Sequence, residues 1–285
     1  MTPIKFSKFH GFGNDYIVIE NGQIPSGADL PDLARAICNR HTGAGSDGIA
    51  VIEKLDGEIA DYFCEIVNPD GSIAGFSGNG TRCAVAYLYD NGMWQDTHLR
   101  LRTRSGVKTF ELIEHPKDGS YWFRAEIGKP RFASDEIPIA VEPRADSVID
   151  HPISIEGGRD LLISGINTGN PVACTFVDDF EFDWRSLGKA LEVHEAFPEK
   201  ANIVFVKPIT RDHIELRIWE RAAGETSSSG TCCSAAAVLC AFTGRTGRTV
   251  FVHTEGGVTG IDWREDGEIL ITGRADLSYF GSWPI

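Results

Sequence analysis

Two stretches of small apolar residues, 81–89 and 234–242, interrupt a chain that otherwise alternates between apolar and polar positions. Both are apolar on every side at helical spacing, the pattern of a helix buried all round. The runs flanking them have the two-residue period of strands. Residues 5–20 alternate on either side of a glycine-rich turn, His10 to Asp15, and predict a strand, a turn and a second strand. Residues 31–40 put Leu33, Ala34, Ile37 and Cys38 on one face, with Asp32 in the first turn, and predict an amphipathic helix. Strands are expected over 48–53, 60–67, 99–103, 108–113 and 122–127, and Asn68-Pro69-Asp70-Gly71 reads as a turn.

The second half repeats this order. Strands at 161–168 and 172–177 flank Gly169-Asn170-Pro171, a helix follows at 184–192, then strands at 203–208 and 213–219. The second apolar helix precedes strands at 249–254, 259–263 and 268–273. Residues 128–148, rich in Pro, Asp and Glu, read as a linker. The expected fold is α/β in the α+β sense: two pseudo-symmetric domains, each a mixed or antiparallel sheet wrapped around a central apolar helix. The first spans 1–127 with a C-terminal strand at 275–285, the second 128–274, with a site expected in the cleft between them.

The repeat is sharpest where the two apolar helices begin. Ser77-Gly78-Asn79-Gly80-Thr81 matches Ser229-Gly230-Thr231-Cys232-Cys233 at an offset of 152 positions (229 − 77), and Gly92 and Gly244 close the two helices at the same offset. A length of 285 residues suits two such domains. A formal net charge of −14 with scattered Lys and Arg argues against nucleic acid or an anionic membrane as partner. The N-terminus lacks an apolar signal core and no apolar run approaches the roughly 20 residues of a membrane span, so a cytoplasmic location is expected. The seven cysteines have irregular spacing and form no C-x-x-C pair, and the histidines form no metal-binding pattern. Neither a disulfide framework nor a metal is expected, and most of the cysteines read as buried and inert.

A glycine-rich turn opening a helix exposes backbone N–H groups at the positive end of the helix dipole, a site for an anion. Two such ends converging on one carboxylate hold it by several charge-assisted hydrogen bonds and stabilise charge developing beside it. Ser77 and Ser229 read singly as ordinary helix caps; two copies at matched positions favour a functional reading. Gly78, Asn79, Gly230 and Thr231 supply the backbone at these ends. Asn14, Asn68, Asn170 and Asn202 stand at turns or strand ends, where asparagine is a common turn former. Glu220-Arg221 falls 152 positions after Asn68; the pair suits a ligand carrying both ammonium and carboxylate, or is a plain surface ion pair.

At these residues the chain resembles the diaminopimelate epimerases, amino-acid racemases that use no pyridoxal phosphate. The matching blocks are 8–16, 40–48, 68–72, 77–83, 169–171 and 219–226 with 229–231, in the family's order and across nearly the whole chain. The resemblance implies a two-base inversion of an α-carbon with no cofactor, a small amino-acid substrate and commonly a homodimer. It also implies that Asn14, Asn68, Asn170, Asn202, Glu220 and Arg221 contact substrate, and that the backbones of Gly78, Asn79, Gly230 and Thr231 bind the reacting carboxylate.

The family carries its two catalytic thiols at the positions of Ser77 and Ser229, so both are missing here. A histidine common in the family is replaced by Val172. Free cysteine has a pKa of about 8.5, which a helix N-terminus lowers further; a serine hydroxyl is a far weaker acid that the same field cannot bring into range. Three readings remain. A double Cys→Ser replacement in a working epimerase is favoured by the symmetry of the loss. A relative with another base, such as an isomerase or dehydratase, gains some support from Val172. The third is a non-catalytic amino-acid-binding module. Diaminopimelate suits the retained asparagines and Arg221, and another amino acid with a polar tail stays open.

Overall fold

The computed structural model describes residues 3–115, 118–137, 139–155 and 159–284. Of the spans read from sequence, residues 1–2 and 116–117 of the first domain, 138 and 156–158 of the second, and 285 of the last strand lie outside that set. The chain divides into two compact units, Met1–Glu126 with Thr272–Ile285, and Ile127–Ile271. In chain order the elements of the first half are β1 (Ile4–Gly11), β2 (Asn14–Glu20), α1 (Leu30–Ile37), β3 (Ile49–Lys54), β4 (Tyr62–Val67), β5 (Ile73–Ala74), α2 (Gly78–Asp90), β6 (His98–Thr103), β7 (Gly106–Glu114) and β8 (Ser120–Gly128). Then come β9 (Val148–Ile155), β10 (Arg159–Asn167), β11 (Pro171–Phe176), α3 (Trp184–Glu192), β12 (Asn202–Pro208), β13 (His213–Glu220), β14 (Gly224–Glu225), α4 (Gly230–Phe242), β15 (Thr249–Thr254), β16 (Gly257–Trp263) and β17 (Ile269–Trp283).

In the first unit the sheet is mixed, as the alternating runs and short turns require. Pairs β1–β2, β3–β4, β6–β7 and β7–β8 are antiparallel, while β2–β3 and β4–β6 are parallel. The C-terminal part of β17 pairs antiparallel with β1 and also pairs with β8, which closes the ring of strands. The β1–β2 connection needs only Phe12 and Gly13, at φ +55° and +89°. Two successive positive φ values define the primed hairpin turn whose twist matches the strands. Helix α2 packs against β1, β2, β3 and β4. Its residues from Asn79 to Leu88 are all buried, so packing rather than helix propensity holds it. Full burial of side chains such as Val85 and Leu88 contributes about 1.5–3 kcal/mol each.

The second unit repeats the scheme with β9–β10, β10–β11, β12–β13 and β15–β16 antiparallel and β11–β12 and β13–β15 parallel. Helix α4 packs against β10–β13, β15 and β16, and its Cys232–Cys240 stretch is buried throughout. The expected class, an α+β fold of mixed sheets around an apolar helix, is the class observed. All seven cysteines are buried and unpaired by disulfides.

Several boundaries differ for identifiable reasons. Helices α2 and α4 start at Gly78 and Gly230 rather than at 81 and 234, because the glycine-led turns are themselves the first helical turn. The sequence reading has no strand at β9: it is an edge strand in which Pro152 faces Leu162, and inside a strand proline, which lacks the N–H, is best tolerated at such an edge. The segment 128–148 is not a free linker. Its Ala133, Ile137, Ile139 and Val148 are buried, and the last three pack with Trp184, Leu191 and Phe205 in the core beneath α3. Arg131 bridges to Asn167 of β10.

Helix α3 runs as expected from Trp184, capped by the Asp183 carboxylate accepting from the Ser186 N–H. Gly188 lies where a Cβ would sit 2.8 Å from Trp219 Cβ. Alanine normally stabilises a helix interior by about 0.5–1 kcal/mol over glycine, but here the overpacking cost of about 1–3 kcal/mol prevails. Gly188→Ala is therefore expected to lower the urea midpoint; an unchanged or raised midpoint would show that Trp219 yields freely.

Candidate active site

Ser77 and Ser229 both occupy the cap position in extended backbone, at φ −137° and −145°. Their side chains then part ways. Ser77 Oγ accepts from the Gly80 N–H at 3.1 Å and lies 2.9 Å from the Tyr16 hydroxyl. Ser229 makes no cap bond. Its hydroxyl instead donates to the Glu220 carboxylate at 2.8 Å and sits 3.3 Å from Thr231 Oγ1. Burial pushes the Glu220 carboxyl above its ordinary range, and the bond from Ser229 offsets part of that rise.

The amide groups at these ends are the chemical resource. In α2 the first internal helical acceptor is Ser77 O, taken by the Thr81 N–H; the Gly78 and Asn79 N–H groups have no acceptor among the described residues. In α4 the Cys233 N–H takes Ser229 O, and with no side-chain cap the N–H groups of Gly230 and Thr231 are open in the same sense. A helix N-terminus of this kind offers several donors and a positive field to one anion.

In the first unit, Asn14 and Asn79 are joined by a relay that fixes both. Asn79 Nδ2 donates to Asn14 Oδ1 at 3.2 Å, and Asn14 Nδ2 donates to Asp47 Oδ2 at 2.8 Å. Arg82 Nη1 donates to Asn79 Oδ1 at 3.0 Å, so a buried guanidinium anchors the other end. Behind them Asp15 pairs with Lys8 at 2.6 Å and with Arg40 at 2.8 Å, and Arg40 reaches Asp47 at 2.7 Å. Burial alone would raise the Asp15 carboxyl; the hydrogen bonds from Arg40 and Lys8 outweigh it and hold it at about 2. Asn68 stands apart from this relay and donates to Ser72 Oγ at 2.9 Å, in its own turn.

In the second unit the Gly169-Asn170-Pro171 turn is tied to α4, because Thr168 Oγ1 donates to Thr231 O at 3.0 Å. Asn202 spends both ends of its amide on the protein: Nδ2 donates to Pro171 O at 3.1 Å and Oδ1 accepts the Arg221 N–H at 2.9 Å. Arg221 extends over the surface, with Nη1 donating to Glu199 O. Glu220 and Arg221 form no ion pair among the described residues, since the carboxylate is committed to Ser229. Val172 is fully buried in β11 opposite Asn202. Thus Ser77, Gly78, Asn79 and Asn14 come together in one unit, and Ser229, Gly230, Thr231, Glu220 and the Asn170 turn in the other. The supporting residues Tyr16, Asp47, Arg82 and Thr168 are not singled out by the sequence; Tyr16 lies in the 8–16 block, Asp47 in 40–48 and Arg82 in 77–83, without any sign of whom they serve.

The matching family and the relatives of this chain are epimerases, a class of isomerase. The diaminopimelate epimerase family model matches residues 6–132 and 165–278. Relatives include diaminopimelate epimerases of Pelotomaculum thermopropionicum, 36% identical over 282 residues (98% of each chain), and of Caldanaerobacter subterraneus subsp. tengcongensis, 38% identical over 280 residues (98% of each). A crystal structure of a phenazine biosynthesis protein of the PhzF family from Bacillus anthracis superposes with a TM-score of 0.71 at 16% identity, covering all of both chains, and shares the fold. The chain belongs to the diaminopimelate epimerase family.

The Asp15 carboxylate yields a pH prediction. Its folded value lies below the ordinary one, so its contribution is present above about pH 4 and is lost as pH falls toward 2. Asp15→Asn should cost about 2 kcal/mol near pH 7, and the gap to the parent in urea unfolding should close as pH drops through that window. A gap independent of pH would assign the loss to packing instead.

Proposed function

We propose that this chain binds a free amino acid, diaminopimelate by the names its relatives carry, and that positions 77 and 229 stand on opposite faces of its α-carbon. The reaction built on this frame is a two-base inversion without a cofactor: one group removes the α-proton while the other returns a proton to the opposite face. The open N–H groups of Gly78, Asn79, Gly230 and Thr231 stabilise the carboxylate and the carbanion-like charge next to it. The observation carrying this reading is the pair of matched helix ends, each with a hydroxyl at the reactive position and unclaimed amides beside it. Asn14, Asn68, Asn170 and Arg221 are assigned to the ligand's polar ends, while Asn202 positions the Pro171 turn and the Arg221 backbone.

Both reactive positions hold serine. A hydroxyl there is too weak an acid to cycle between proton donor and acceptor near neutral pH, so the chain as it stands is inactive or very slow and holds its ligand without turning it over. The proposal places it in the cytoplasm as a homodimer, like other members of its family.

A second reading is favoured by one observation. The Glu220 carboxylate, raised by burial, is a stronger base than an ordinary carboxylate and lies against Ser229, which suits an isomerase using a different base.

Incubation with diaminopimelate in deuterated water separates the readings. The parent should show no α-deuterium, and Ser77→Cys/Ser229→Cys should incorporate it without added cofactor. Exchange by the parent that Glu220→Gln abolishes would establish the second reading. Binding by the parent with no exchange from the restored protein would leave an amino-acid-binding module.

A further inference from the structure

The two reactive positions have different polar neighbours, and the repeat shows how the difference arises. Gly13-Asn14-Asp15-Tyr16 aligns with Gly169-Asn170-Pro171-Val172 at an offset of 156 (169 − 13), so Tyr16 and Val172 are counterparts. Asn68 and Glu220 are counterparts at the offset of 152. In the first unit the hairpin residue supplies the partner, with Tyr16 Oη 2.9 Å from Ser77 Oγ, and Asn68 turns away to Ser72. In the second unit the strand-end residue supplies it, with Glu220 accepting from Ser229, and Val172 is a core side chain. One position therefore faces a phenol and the other a carboxylate.

The place of the Tyr16 ring is built for this contact. Tyr16 is 6% exposed and lies between two glycines. A Cβ at Gly48 would come within 2.8 Å of Tyr16 Cε1, and one at Gly80 within 2.9 Å of the same atom. Neither glycine is among those with positive φ, so conformation does not demand them; the space does, which the ring shares with the Val67 carbonyl beside Gly48 and Ile66 beside Gly80. Gly80 also donates its N–H to Ser77 Oγ, so one residue makes room for the ring and fixes the atom that the ring addresses.

We infer that Tyr16 is a positioning residue: its hydroxyl meets the atom at position 77, now the Ser77 hydroxyl, and holds a thiol restored there in its ionised, proton-accepting form. This rests on the two-base reading above. A thiolate at 77 has no proton, so the phenol must donate to it, beside the Gly80 N–H and the helix dipole. At 229 the neighbour is an acceptor, and a carboxylate beside a thiol favours the protonated form. The pair is thereby divided before substrate arrives: one position accepts a proton and the other holds one. A donated hydrogen bond to an anion is worth enough to move its ionisation by roughly one to two pH units.

The test uses Ser77→Cys and Ser229→Cys separately, each with and without Tyr16→Phe, which keeps the ring between its glycines. The rate of alkylation by iodoacetamide is followed against pH; the seven native cysteines are all buried and do not compete. Tyr16→Phe should raise the midpoint at position 77 by roughly one to two pH units and leave that at 229 in place. An unmoved midpoint at 77, or equal shifts at both positions, would overturn the inference. Deuterium exchange in the doubly restored protein is measured alongside. Exchange with an unmoved midpoint sinks this inference alone, and a shifted midpoint without exchange sinks the two-base reading alone.

Discussion

A helix N-terminus leaves its first amide groups without acceptors, and each half of the candidate site depends on how its own unit holds one such end. A short exposed helix would spend those amides on water. Here the helices are buried almost residue for residue, from Asn79 to Leu88 and from Cys232 to Cys240, so each sheet fixes the helix that it surrounds and thereby fixes the amides. Small residues make that burial possible: Ala84, Ala86, Ala235, Ala236 and Ala237 are all buried and let the strands close around the helices.

Rigidity at the first end is bought with charge. Lys8, Arg40, Asp15 and Asp47 form a partly buried network that terminates in Asn14 and, through it, in Asn79. Losing Asp15 leaves the largely buried Lys8 without its ion-pair partner, while the half-exposed Arg40 keeps Asp47. The second end is held with neutral groups: Thr168 on the Thr231 carbonyl and Asn202 between the Pro171 turn and Arg221. Two related units thus reach a similar helix end by different chemistry, and Ser77 and Ser229 meet unlike neighbours, Tyr16 and Glu220.

Much of this was legible in the sequence because it rests on periodicity and repetition. The apolar helices, most strands and the matched Ser-Gly turns follow from side-chain spacing alone. What the spacing hides is partner choice. Pro152 and the acidic residues around it disguise an edge strand, and the polar composition of 128–148 masks three core isoleucines and valines. Asn202 is a ligand contact by the family resemblance, yet its amide is already used inside the protein. Tyr16 reads as one more strand residue, and only the meeting of its hydroxyl with Ser77 marks it out.

The central proposal is that the amides at both helix ends bind one amino acid. Backbone amide hydrogen exchange, read residue by residue as diaminopimelate is added to the protein as it stands, tests it most directly. The account predicts that Gly78, Asn79, Gly230 and Thr231 become protected together, with one saturation midpoint for all four. Protection confined to one pair, or two separate midpoints, would contradict it.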